Sequence, residues 1–184
     1  MKKRYLFLLL LIFLSCMKQS ELGKELQCKS FNFDNLELVK DVENKFSIAI
    51  PKNWKTNLYQ DNLQSSIFFA DTTKQLTATF LVDVSFIKNN LEINDLFKLK
   101  IEQENLKKKL IQINSKELIF LEKPTYILIS KGIKSDYLYQ KLQAFIKIDK
   151  NHFILAKAEV YGDSLTQNRL CKAISLIEKI KIIQ

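Results

Sequence analysis

The chain has 184 residues, 47% hydrophobic and 27% charged, with three Gly and two Pro. That composition excludes disordered, collagen-like and low-complexity classes and bounds the molecule to a single domain. Of 29 basic residues only Arg4 and Arg169 are Arg, so the formal charge of +9 is read as a solvated Lys surface and nucleic acid is set aside as a partner.

Residues 1–15 read as an export signal: the basic end Met1-Lys2-Lys3-Arg4, an apolar run from Tyr5 to Leu14, then Ser15. The run is too short for a spanning helix, which needs roughly 18 to 20 apolar residues. Phe13-Leu14-Ser15-Cys16 resembles the lipobox of bacterial lipoproteins, departing from it at Phe13, where Leu is usual. The resemblance implies a diacylglyceryl group on Cys16, cleavage before it, and a protein held to the bacterial envelope, at the outer membrane, by several acyl chains where one alone would hold marginally. Loss of Lys2, Lys3 and Arg4 lowers the formal charge to +6.

With Cys16 assigned to lipid, Cys28 and Cys171 remain, in a compartment that permits disulfides. Bonded, they would staple the N-terminal arm to the last helix and stabilise by about 4 to 5 kcal/mol in the chain-entropy model; otherwise they are two separate buried thiols. Two distant Cys and one His make no credible zinc site. No metal or cofactor is expected.

Residues 17–29 are polar and read as part of a tether spanning 16–43, with the folded domain at 44–184. Phe46, Ile48 and Ile50 alternate on a first strand that stops at Pro51. Strands at 54–59 and 65–71, separated by Asp61-Asn62, form a hairpin. Leu76, Ala78, Phe80, Val82, Val84 and Phe86 share one face of a long strand. A helix follows over 93–111 with Asn94 as N-cap, and Lys107-Lys108-Lys109 complements the dipole at its end. Strands are expected at 116–122, 125–131, 136–148 and 153–161, the second and third separated by residues 132–135. A final helix, capped by Asp163 or Ser164, carries Leu170, Ala173, Ile174, Ile177 and Ile180 on one stripe.

The last two strands carry a parity argument. Leu138, Leu142, Ala144, Ile146 and Ile148 share a face, as do Ile154, Ala156, Ala158 and Val160. Keeping both even-numbered sets on one side requires an odd loop, and Asp149-Lys150-Asn151 supplies three residues, with Asn151 suited to a left-handed position. The pairing sets Tyr139 against Tyr161, Lys141 against Glu159 and Phe145 against Leu155. The small Ala144, Ala156 and Ala158 would admit the C-terminal helix on that face. The opposite face is aromatic with a cationic rim.

The stretch from Asn44 to Trp54, an aromatic-rich strand ending in Pro51 with a short spacer and Trp54, resembles the opening of PsbP-like domains. The order of later elements is also similar, over residues 44–183. Such proteins include extrinsic photosystem subunits and the DcrB type of bacterial envelope lipoprotein. The resemblance implies an α+β fold, an antiparallel sheet with helices packed on its faces. It also implies a binding or assembly role in place of catalysis, with an envelope protein as partner and no catalytic residues to carry over.

Three places remain as candidate sites. His152, the sole histidine, sits at a strand turn, where a solvated residue is the plain reading. Asp61, Asp71, Asp83, Glu122 and Asp136 would support hydrolysis only if the fold pairs them in space. Tyr137, Tyr139 and Trp54 could anchor a partner, or lie in the core. The alternatives to a binding module are thus an envelope hydrolase with a carboxylate-based site and a structural surface lipoprotein without ligand.

Overall fold

The computed structural model describes residues 20–183; Cys16 and the segment 1–15 expected to be an export signal lie outside the described residues. The elements run α1 (Glu21–Glu25), β1 (Leu36–Lys40), β2 (Phe46–Pro51), β3 (Lys55–Gln60), β4 (Gln64–Ala70), a 3-10 turn (Leu76–Ala78) and β5 (Leu81–Lys88). Then come α2 (Asp95–Lys107), β6 (Leu110–Phe120), β7 (Lys123–Lys134), β8 (Tyr137–Lys147), β9 (His152–Tyr161), α3 (Thr166–Ile177) and β10 (Lys181–Ile182). Seven strands form one antiparallel sheet in the order β3-β4-β5-β9-β8-β7-β6, and β1-β2-β10 form a small second sheet. This is the α+β architecture expected.

The hairpin parity holds. Tyr139 pairs with Tyr161, Lys141 with Glu159, Ala144 with Ala156 and Phe145 with Leu155. Its even-numbered face joins Val82, Val84, Ile67, Phe69 and Ile127 in the main core, covered by Phe46, Ile48 and Ile50 of β2 and by Leu170, Ala173, Ile174 and Ile177 of α3. Asn151, however, does not take the left-handed conformation. The Asp149 carboxylate instead accepts from the Asn151 N–H (2.7 Å), which shapes the loop without positive φ.

Pro51 is tolerated in the middle strand of the small sheet because β10 reaches only Ser47 and Phe46; at Pro51 the ladder has β1 on one side alone. The Asp61 turn also holds, its carboxylate accepting from the N–H groups of Leu63 (2.7 Å) and Gln64 (2.8 Å). Asn94 caps α2 as expected, accepting from the Phe97 N–H at 2.9 Å.

Several expectations are corrected. The long strand does not begin at Leu76, because its neighbours end there: Ala70 is the last residue of β4 and pairs with Leu81, and β9 stops at Tyr161. With no ladder to join, residues 76–78 make a 3-10 turn that lays Thr77 against Gly162, whose φ of +79° and tight surroundings exclude a side chain. Residues 132–135 are not a loop. Gly132 lies within β7, where an added Cβ would stand 2.4 Å from the Lys109 carbonyl oxygen, and only Ser135-Asp136, both with positive φ, make the turn. α2 stops at Lys107, since Lys109 turns at φ +58° and β6 starts at Leu110, six residues before the strand expected from 116. Neither Asp163 nor Ser164 caps α3. The N-cap is Leu165 in the left-handed region, and the Thr166 hydroxyl donates back to the carbonyls of Gly162 (3.2 Å) and Asp163 (3.0 Å).

From Ser20 onward the arm expected to be a tether is folded onto the domain. Leu22 and Leu26 are buried in the main core, the Phe31 N–H donates to Ser175 Oγ (3.0 Å), and Cys28 is bonded to Cys171. β1 then pairs along β2.

Arg169 ties the end of β9 to the start of α3. Buried in the core rim, its guanidinium donates to the carbonyls of Ser164 (3.0 Å), Thr79 (3.0 Å), Tyr161 (2.8 Å) and Gly162 (3.3 Å). Arg169→Ala leaves these carbonyls without their donor, and a loss of about 3 kcal/mol is expected, read as a lowered urea midpoint with an unchanged slope. Reducing the Cys28–Cys171 bond, which closes a separation of 143 residues, is expected to lower stability by up to about 4 to 5 kcal/mol. Urea unfolding of the oxidised and reduced protein side by side measures it.

Candidate functional site

Residues singled out in the sequence meet different fates. Trp54 is half-buried, its ring 5.2 Å from Phe80, 5.8 Å from Phe33 and 6.2 Å from Phe69, a lid on the core and not a projecting anchor. Tyr137 is 43% exposed but Tyr139 only 4%. The two do not make one exposed surface, because Tyr139 packs on Tyr161 (5.0 Å) beside Leu110 with the Lys134 ammonium above it, while Tyr137 meets only the edge of Tyr161. The far end of the same face is covered by α2, whose Phe97 stands 5.1 Å from Phe145.

His152 stacks on Phe86 (5.2 Å) and holds Asp149 through Nδ1 at 2.9 Å, which keeps the Asp149 carboxyl below its ordinary range. Both line a cleft of about 710 Å³ with Glu122. The remaining carboxylates are taken up locally: Asp61 in its turn, Asp71 by Lys74 (2.8 Å) and Thr73, and Asp83 by Lys157 (2.6 Å). Asp136 sits in the β7–β8 turn. Among the described residues, no three His, Cys, Asp or Glu side chains gather as metal ligands.

The arrangement with most chemical content lies under the C-terminal end of α2. α2 covers Phe145 and Phe153 but ends before the Tyr139 end of the hairpin, leaving a cleft of about 610 Å³. Lys108, Lys134, Lys141 and Lys157 line it, facing Glu104 and Glu159, between apolar walls that include Ile101 and Leu155. Lys141 is only 6% exposed, and its ammonium donates to Asn105 Oδ1 at 2.8 Å in the last turn of α2. Asn105 Nδ2 and Gln143 Oε1 are buried without hydrogen-bond partners.

Burial pushes the Lys141 ammonium down to about 8, with Lys108, Lys157 and Lys134 adding to the effect and Glu159 opposing it. Burial also works against the Glu159 charge. Lys134 (3.1 Å) and the Tyr139 and Tyr161 hydroxyls outweigh it, so the Glu159 carboxyl titrates below its ordinary value. The Tyr139 phenol is raised by burial and by Glu159. Asn105 and Lys141 lie 36 residues apart, and their meeting was not legible. The available signal was a Lys pointing with Tyr139 and Phe145 to the face that α2 covers.

No family model and no curated protein matches the chain. Solved structures do. Cyanobacterial PsbP (CyanoP) from Synechocystis sp. PCC 6803 is similar over 85% of this chain and 97% of its own, with a TM-score of 0.62 at 10% identity. LpqN of Mycobacterium tuberculosis, described as involved in cell envelope biogenesis, is similar over 81% of this chain and 91% of its own, with a TM-score of 0.50 at 12% identity. The fold is PsbP-like. This agrees with the architecture that the opening strand and Trp54 implied.

Since Lys141 titrates near 8 and an ordinary Lys above 10, the Nζ resonance of Lys141 followed by NMR is expected to show a midpoint about two pH units below the other lysines. A midpoint above 10 would show the ammonium to be solvated.

Proposed function

We propose that this is a lipid-anchored bacterial cell-envelope protein, at the outer membrane, whose PsbP-like domain acts as a non-catalytic binding or assembly module. The observation that carries the reading is the Cys28–Cys171 disulfide, formed by the two cysteines that remain after Cys16 is given to lipid. Such a bond persists in an oxidising compartment outside the cytoplasm. Further support comes from the lipobox-like Phe13-Leu14-Ser15-Cys16 after a basic and apolar leader, and from the PsbP-like fold, which LpqN shares. The inferred arrangement is that of the DcrB type of envelope lipoprotein. No helix among the described residues is long and apolar enough to cross a membrane, and the attachment proposed here rests on acyl chains at Cys16.

The hydrolase alternative finds its best ground in the His152–Asp149 cleft, where Glu122 adds a second carboxylate, but Asp149 is already held by His152 and by the Asn151 N–H, which favours reading it as the anchor of a turn. Cys16→Ser is expected to abolish incorporation of labelled palmitate and to release the domain from washed membranes. Retention of label in the variant would overturn the anchor. Affinity capture of the wild-type protein from its own detergent-solubilised membranes then tests for a stoichiometric envelope partner.

A further inference from the structure

We propose that the cleft beneath the C-terminal end of α2 binds a small amphiphilic organic anion, its carboxylate or phosphate held by the Lys141 ammonium. The proposal rests on the reading of the domain as a binding module and adds to it a ligand class and the groups that hold it.

The argument starts from unmatched donors. An ammonium carries three N–H bonds and Lys141 commits one to Asn105 Oδ1, while Nδ2 of that same amide, a short step away, has no partner. Buried N–H bonds without an acceptor cost about 1 to 3 kcal/mol, and Lys141 is the one of the two that lines the cleft, beside the unpartnered Gln143 Oε1, so its remaining N–H bonds call for an oxygen ligand there. The neighbouring carboxylate does not fill the role: Glu159 is engaged by Lys134 and by the Tyr161 hydroxyl at 3.0 Å. Lys157 is drawn to Asp83. Facing Lys141 are therefore Glu104 from α2, Lys108 beyond it, Lys134 from β7, Tyr139 from β8, and Lys157 and Glu159 from β9. With Asp83 set against Lys157, four ammonium groups against three carboxylates leave the cleft positive by one charge while Lys141 holds its proton.

The walls define the rest of the ligand. Ile101, Leu110, Ile133, Phe145 and Leu155 present apolar surface around the charged end, and a volume of about 610 Å³ suits one small molecule. Lys141 is recessed, so its anion must enter the cleft; a flat bilayer surface would meet the exposed lysines and not this one. An anion at Lys141 restores the preference of that amine for its proton. Because the free amine sits near 8, binding at pH 9 is expected to take up about one proton; at pH 6.5 a carboxylate takes up none, and a phosphate monoester, whose second pKa is about 6, releases part of a proton.

The test is calorimetric titration of the intact oxidised protein with decanoate and with hexyl phosphate, in two buffers of different ionisation enthalpy. Saturable one-to-one binding of either probe, with proton uptake at pH 9 only, supports the site, and the stronger of the two names the anion. Lys141→Met is expected to weaken binding by about tenfold or more, while Lys52→Met, on the exposed β2–β3 turn, leaves it unchanged. If Lys141→Met fails to fold, the Lys141 Nζ midpoint in wild-type protein serves in its place: it rises on saturation if the proposal holds. No saturable binding of either probe, binding unchanged in Lys141→Met, or an unmoved Nζ midpoint each overturns it. Capture by phosphatidylglycerol vesicles without binding of the soluble probes overturns it in favour of a membrane surface. Acylation at Cys16 and partner capture are read separately, so their failure would be recognised as failure of the envelope reading.

Discussion

Pairing of Leu142 with Ala158 and of Ala144 with Ala156 puts every even-numbered residue of β8 and β9 on one face of the central hairpin and every odd-numbered one on the other. A slip of one residue would exchange the two sets completely. The even face is apolar and small in its middle, which lets α3 and β2 close over it as the main core. The odd face mixes Tyr139, Lys141, Phe145, Lys157 and Glu159 and can be covered only in part. Core and cleft are therefore two outcomes of one register, set by a loop whose shape depends on the Asp149 carboxylate.

Why the odd face stays partly open follows from α2. Its apolar residues are spread around the helix, so it has no single stripe to bury. Phe97 and Ile101 reach Tyr126, Phe145 and Phe153, while Leu96, Leu99 and Leu106 remain exposed. The helix then ends where Gly132 allows the Lys109 carbonyl to pass close over β7. At and beyond that end the sheet carries charges that are settled pairwise: Lys134 with Glu159, Lys157 with Asp83, and Lys141 with the Asn105 amide of the last turn of α2.

Local pattern made much of this fold legible. The Asp61 turn, the Asn94 cap and the register of the late hairpin each follow from a few adjacent residues, and the disulfide is one of the two readings that the cysteine count left open. Features that depend on where other strands stop were not legible. The 3-10 turn at Leu76–Ala78 exists because β4 and β9 end there, and the left-handed Leu165 is tolerated because Arg169 gathers the carbonyls around it. The arm reads as a tether because residues 17–29 are polar, yet Leu22, Leu26 and Cys28 dock its first part and β1 pairs along β2. The candidate site was the least legible part, since Asn105 and Lys141 meet only through the fall of α2 across the sheet.

The docked arm also sets a short leash. Ser20 hydrogen-bonds Glu178, the Gln167 amide donates to the Leu26 carbonyl (2.9 Å), and Glu21 accepts from the Ile119 N–H (2.9 Å) near the end of β6. Ser20 is four residue steps from Cys16, a span of at most about 14 Å. For a chain acylated at Cys16, the Ile119 end of the sheet is thus kept near the lipid. Leu110, which walls the cleft, lies nine residues back along the same strand, about 30 Å at the rise of a β-strand. For such a chain, the Leu110 end of β6 would be held farther from the lipid than the Ile119 end.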